Sequence, residues 1–140
     1  MSDAADHKRR RIAAFLQIAD EEIRAAETLA AFLPRQSAFF QQQGVEKLLR
    51  AVLEASDVLA GPTHNLRTLT DVLPADHAMR ATFLSFEEFS SEATRYRYPS
   101  GSGDAPKVPA DLVKSRQERL TALREAVVAF LQDNADFGQR

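Results

Sequence analysis

Apolar residues recur every three to four positions along most of the chain, and no segment shows the two-residue alternation of a strand. Ile12, Phe15, Leu16, Ala19, Ile23, Ala26, Ala30 and Leu33 keep that spacing, with Asp20, Glu21, Arg24 and Glu27 off the face. They predict a first helix over residues 4–33. Pro34 has no amide hydrogen to donate and disfavours helical geometry at Leu33, so the helix is expected to stop there. A second helix is predicted from residue 35 or 36 to residue 59, with Val45, Leu48, Leu49 and Val52 toward the core. Gly44 within it costs about 1 kcal/mol relative to alanine, and a close approach by another backbone is the expected reason.

Gly61-Pro62 ends that helix, and Thr63-His64-Asn65-Leu66 reads as a capping turn for a short third helix over residues 66–73, with Leu66, Leu69 and Leu73 inward. After Pro74, Asp76 is the expected cap of a fourth helix. Met79, Phe83, Phe86, Ser90 and Ala93 form its stripe, with Phe89 and Tyr96 beside it. Residues 100–109 mix small residues and prolines without periodicity and are expected to be a mobile loop. A fifth helix over residues 110–134 carries Val113, Leu120, Leu123, Val127 and Phe130 on one face. The predicted fold is all-α: an antiparallel bundle of four long helices and one short one, with short connections between neighbours.

Composition narrows the functional classes. At 140 residues, 44% of them hydrophobic, the chain can fill the core of a single domain, residues 1–140, with frayed ends at 1–8 and 135–140. The net charge of −2 advertises no global field for nucleic acid, so any phosphate contact is expected to be local. The absence of cysteine excludes disulfides and thiolate metal sites. His7 and His77 lack a His or carboxylate partner at metal-ligand spacing, and no metal and no cofactor are expected. No apolar run approaches the roughly 18 to 20 residues of a membrane span, and the opening lacks a signal-peptide pattern. A cytoplasmic, unprocessed protein without membrane contact is expected.

The candidate chemistry lies on the polar face of the second helix and at the exit of the fourth. Gln43, Lys47 and Arg50 align on one face, which is either solvated or a small phosphate or nucleotide surface with lysine as point charge and arginine as fork. Glu46, one turn before Arg50, is placed to pair with it. Arg97 is either a helix-end cation or a ligand contact, while Tyr98-Pro99 restricts the exit of the chain. Arg95 and Tyr96 offer a further charge and a stacking face. His64, in a turn beside Thr63, is expected to tie the loop to a neighbouring helix. The basic run at residues 8–11 reads as a solvated tail or a contact for RNA or an acidic partner. It opposes the helix dipole, so the first turn is expected to fray.

Three of these signals, in order, resemble the HEPN domains, small helical bundles of higher eukaryotes and prokaryotes. The run Phe39-Phe40-Gln41-Gln42-Gln43-Gly44-Val45-Glu46-Lys47-Leu48-Leu49-Arg50-Ala51 resembles the family's second-helix pattern of an aromatic, a glutamine, a Glu-Lys pair and a later basic residue. Thr63-His64-Asn65-Leu66 is similar to its Thr-His-Asp-Leu entry to the third helix, and Arg97-Tyr98-Pro99 to the Arg-Tyr-Pro that closes the fourth. The likeness spans about residues 12–128, with Gly44 in place of the usual alanine, Arg50 of lysine, Phe40 of histidine and Asn65 of aspartate. The ribonuclease branch carries an arginine, four to six residues and a histidine. Here that window after Arg97 is Ser102, Gly103 and Asp104, which removes the obvious proton shuttle. The resemblance implies a homodimeric nucleotide- or RNA-related accessory protein, paired with a minimal nucleotidyltransferase as in toxin–antitoxin systems, with Gln43, Lys47, Arg50, Arg97 and Tyr98 at the ligand and Glu46, Thr63, His64 and Pro99 in support. The alternatives are a divergent metal-independent ribonuclease using Arg97 with His64 or Tyr98, and a scaffold that binds only protein.

Overall fold

The computed structural model describes residues 3–134, with the side chains of residues 91–94 left aside. Six helices follow one another: α1 (Asp3–Leu29), α2 (Pro34–Ala55), α3 (Leu66–Asp71), α4 (Arg80–Leu84), α5 (Glu88–Arg95) and α6 (Ala110–Asp133). Among the described residues there is no strand, so the fold is all-α. The predicted frayed residues 135–140 and the stripe position Ala93 lie outside what is described.

α1 and α2 form an antiparallel pair. Ser37 Oγ donates to the Ala26 carbonyl at one end (2.6 Å), and Arg11 meets Glu54 at the other (3.0 Å). α6 lies against both, its Gln117 donating to the Ile23 carbonyl of α1 (3.2 Å) and its Val113 carbonyl accepting from Gln41 of α2 (2.9 Å). α2 is the central rod, with twelve of its 22 residues buried. Val45, Leu48, Leu49, Val52 and Leu53 pack with Ile12, Leu120, Leu123 and Val127. Gly44 sits where the three long helices meet. A Cβ there would lie 3.3 Å from Ile23 Cγ1 and 3.4 Å from Leu120 Cδ2, so side chains, and not the expected backbone, explain the glycine.

Several boundaries differ from expectation for local physical reasons. α1 is already helical at Asp3, the first described residue, where Asp3 and Asp6 put negative charge in the first turn and Asp6 pairs with Arg9. The basic run is therefore neither frayed nor a free tail: Lys8 pairs with Asp57 (3.0 Å) and Arg11 with Glu54. Pro34 opens α2 at its first helical position, where a missing amide hydrogen costs nothing. α2 ends at Ala55, since Asp57 takes a left-handed conformation (φ 58°) and leaves Leu59 exposed. Asn65 caps α3 as the turn predicts, its Oδ1 accepting from Thr68 N at 2.9 Å, but Asp76 caps nothing. Instead the His77 Nδ1 accepts from Met79 N (3.0 Å) just before α4.

The largest difference is the fourth rod, which is two short helices. Phe83, Phe86 and Phe89 recur every third residue, a period shorter than the α-helical 3.6. The backbone tightens to bring all three inward: Phe86 N bonds to Phe83 O (2.9 Å) and Phe89 N to Phe86 O (3.0 Å). α6 clamps this break. Arg119 donates to the Ser85 carbonyl (2.7 Å) and to Glu88 (3.0 Å), and its guanidinium lies 4.8 Å from the Phe86 ring centroid, while Arg116 reaches Glu88 (3.2 Å). Burial alone would raise the Glu88 carboxyl, but the hydrogen bond and charge of Arg119, with Arg116, hold it below the usual range. After α5, residues 100–104 close a turn through Ser100 N to Asp104 O (2.8 Å). Val108 is buried against Tyr96, Ala38 and Val113, which anchors the far end of the loop.

His77 yields a pH prediction. With Nδ1 accepting from Met79, Nε2 carries the hydrogen toward Ser56 Oγ (2.9 Å), and the ring lies 5.1 Å from that of Phe130. Burial lowers its pKa, against the opposing charge of Asp76. The folded chain therefore keeps His77 neutral where the unfolded chain takes up a proton. Its contribution is full above 6.5 and is lost as pH falls below that value toward the lower folded pKa. Urea unfolding across this range is expected to show a smaller decline in His77→Asn, which does not titrate, than in the unsubstituted chain.

Candidate functional site

A buried carboxylate organises the polar side of α2. Glu46 is 1% exposed. It accepts from Arg50 Nε (3.1 Å) and from His64 Nδ1 (3.1 Å). A carboxylate only accepts, so Nδ1 carries a hydrogen and Nε2 is the ring nitrogen left outside this contact. Arg50 then turns its Nη2 onto the carbonyls of Thr63 (2.6 Å) and Gly61 (3.2 Å), and Gln42, also buried, donates to the His64 carbonyl (3.2 Å). Thr63 Oγ1 accepts from Asn65 N (3.1 Å), closing the turn that carries His64. Glu46, Thr63 and His64 are thus joined by contacts to one another's loop and helix, and the Nε and Nη2 donors of Arg50 are turned to the carboxylate and the loop.

The aligned trio is therefore split. Lys47 binds Glu22 on α1 (3.0 Å) and the Gln43 Oε1 (3.0 Å), with both charged side chains mostly buried between the helices. Its charge is neutralised where the sequence reading places a free point charge. Gln43 alone of the three lines the cleft described next, its amide donating to Gln42 Oε1 (2.8 Å).

That cleft has a volume of about 490 Å³ and is lined by Phe39, Gln42 and Gln43 of α2, His64 and Asn65 of the loop, Ser90 of α5, and Arg97. It brings together residues of all three sequence signals: Phe39, Gln42 and Gln43 of the first, His64 and Asn65 of the second, and Arg97 of the third. Arg97 lies beyond the end of α5 at Arg95, and its guanidinium sits 4.8 Å from the centroid of the Phe39 ring. Among the described residues it has no carboxylate partner and makes no hydrogen bond to a helix carbonyl, so its nearest aromatic neighbour and the cleft are what it faces. The ring of His64, with its side chain 75% exposed, lines the same cleft. Tyr98 is 59% exposed beside Arg97 (5.8 Å from guanidinium to ring centroid), and Pro99 is exposed after it.

Phe39, Gln42, Asn65 and Ser90 were not singled out as ligand contacts in the sequence. The one available signal was the aromatic at the head of the second-helix pattern, since a ring four residues before Gln43 lies on the same helix face. Among the described residues no group of three or more His, Asp, Glu or Cys converges to hold a metal, and no helix is long and apolar enough to cross a membrane. Comparison of the chain with protein-family models, with curated proteins and with solved structures returns no match.

The internal pairing predicts a clear order of stability effects. Glu46→Ala leaves a half-buried guanidinium without its carboxylate and is expected to cost about 3 kcal/mol. Lys47→Ala is expected to cost less, about 2 kcal/mol, because the Glu22 it leaves unpaired keeps more access to water than Glu46. Urea denaturation with a Glu46/Arg50 double-mutant cycle measures the coupling, and equal costs for the two single variants would contradict the hub.

Proposed function

We propose that the chain is a HEPN-type helical module that binds a nucleotide or RNA in the cleft between Arg97 and His64, and that it works as a cytoplasmic homodimer beside a minimal nucleotidyltransferase. The observation that carries the ligand reading is Arg97, a guanidinium laid over an aromatic ring on the wall of a polar cleft, with no acidic partner among the described residues. An anionic ligand bearing a ring meets that pairing directly: phosphate on the guanidinium, base near Phe39, polar edges on Gln43 and Asn65. The partner and the dimer rest on the family resemblance alone. Binding is preferred to catalysis because the histidine that would follow Arg97 in the ribonuclease signature is absent.

Thermal unfolding with and without ATP, other nucleotides and a short RNA tests this reading. A ligand that binds only the folded state, at a hundred times its Kd, stabilises by about 2.7 kcal/mol and raises the midpoint. The shift is expected to vanish in Arg97→Ala and to persist in Lys47→Ala, whose ammonium faces Glu22 and not the cleft. No shift with any of these ligands would turn the reading toward a protein-only scaffold.

One observation favours a catalytic reading as the second choice. His64 faces the same cleft as Arg97, held at Nδ1 by Glu46, which leaves Nε2 as the nitrogen for proton exchange with a ribose hydroxyl. This reading predicts RNA cleavage that persists in EDTA and falls at least about a hundredfold in both His64→Ala and Arg97→Ala. Uncleaved RNA after prolonged incubation would exclude it.

A further inference from the structure

The Arg97 cleft is not isolated. A second recess of about 270 Å³, lined by Arg35, Phe40 and Tyr96 among others, shares Phe39 and Arg97 with it. A third, of about 620 Å³, shares Tyr96 with the second and is lined by Arg95, Tyr98, Pro99 and Lys107. The three adjoin through common walls, and no carboxylate lines any of them among the described residues. Elsewhere the cations of this chain are largely paired: Lys8 with Asp57, Arg11 with Glu54, Arg67 and Arg80 with Asp71, and Arg124 with Asp20. Arg35 instead donates to the Tyr96 carbonyl (3.4 Å), and Arg95 lies 5.6 Å from the Tyr96 ring centroid. Lys107 is exposed on the loop before α6, with no acidic partner among the described residues.

We infer that these three recesses form one track for a single-stranded nucleic acid of several nucleotides, entering at the Arg97 cleft and leaving past Tyr98 and Lys107. The inference rests on the nucleotide reading of that cleft and extends it from one nucleotide to a strand. Cations at intervals suit a repeating phosphate backbone, and Phe39, Phe40 and Tyr98 between them offer faces on which unpaired bases stack, an arrangement that a duplex, with its bases already stacked, does not use. A mononucleotide reaches only one recess.

Fluorescence anisotropy with the full chain distinguishes the two levels of the argument. The probes are a labelled single-stranded RNA hexamer, a labelled nucleoside monophosphate and a labelled RNA duplex of the same composition. The hexamer is expected to bind at least about tenfold tighter than either other probe. Its log K should fall with log salt by about 0.7 for each phosphate neutralised. Lys107→Ala is expected to weaken the hexamer severalfold and lower that salt slope, while changing the monophosphate less than twofold because Lys107 lines a different recess. Lys107→Arg should restore hexamer binding, and circular dichroism should show both variants folded. Equal affinity for hexamer and monophosphate, a duplex that binds as well as the hexamer, or a hexamer indifferent to Lys107→Ala would overturn the track and leave the cleft standing. Failure of the unsubstituted chain to bind any probe, or binding unaffected by Arg97→Ala, would overturn the cleft reading itself.

Discussion

The carboxylate of Glu46 cannot be left unpaired inside a helix that packs against α1, α3, α5 and α6. Meeting that requirement shapes the polar side of the molecule. Lys47 is turned away to Glu22, so Arg50, one turn later, supplies the cation on this helix, and its Nη2 draws in the carbonyls of Gly61 and Thr63. The loop so held delivers His64 to the same carboxylate and Asn65 to the start of α3. The position of His64 at the cleft is thus a consequence of satisfying a buried charge, and the residues that hold the loop are spent in doing so.

A second constraint comes from the other side of the cleft. The three-residue spacing of Phe83, Phe86 and Phe89 draws the backbone into tightened turns and breaks the fourth rod, and the Arg116–Glu88–Arg119 cluster fastens the break to α6. With α5 fastened in this way, residues 96–99 leave it beside α2. Tyr96 is buried with Ala38, Val108 and Val113, whereas Arg97 is turned outward over Phe39. Packing of an aromatic stripe therefore decides where a surface guanidinium stands.

The near-neutral net charge hides an uneven distribution. Along the long helices, most basic residues meet acids, as Lys8, Arg11, Lys47 and Arg124 do across elements, with Arg10, Arg24 and Lys114 as exceptions among the described residues. At the end of the bundle where α2 begins and α5 gives way to the loop before α6, Arg35, Arg95, Arg97 and Lys107 meet carbonyls, rings or solvent instead. A summed charge cannot register that segregation, because attraction for an anion depends on local uncompensated charge within a screening length.

The helical class, the core faces of α1, α2 and α6 and the Asn65 cap were legible in the sequence, because each depends on periodicity or on a bond between residues a few positions apart. The Glu46–Arg50 pair was legible for the same reason, being one helical turn long. Local signals misled where two of them competed. Basic residues near the start of α1 argued for fraying, but Asp3 and Asp6 precede them and their partners, Asp57 and Glu54, lie more than forty residues away. The aligned Gln43, Lys47 and Arg50 looked equivalent on a helical wheel. Which of them faces a neighbour was decided by the crossing of α1 over α2, which gives Glu22 to Lys47, and by the return of the loop, which gives its carbonyls to Arg50. The pairing of Arg97 with Phe39 joins residues far apart in the chain and has no local signature. Short-range order follows from backbone hydrogen bonding and side-chain spacing, which a sequence displays, whereas the cleft arises from contacts that exist only once the helices have packed.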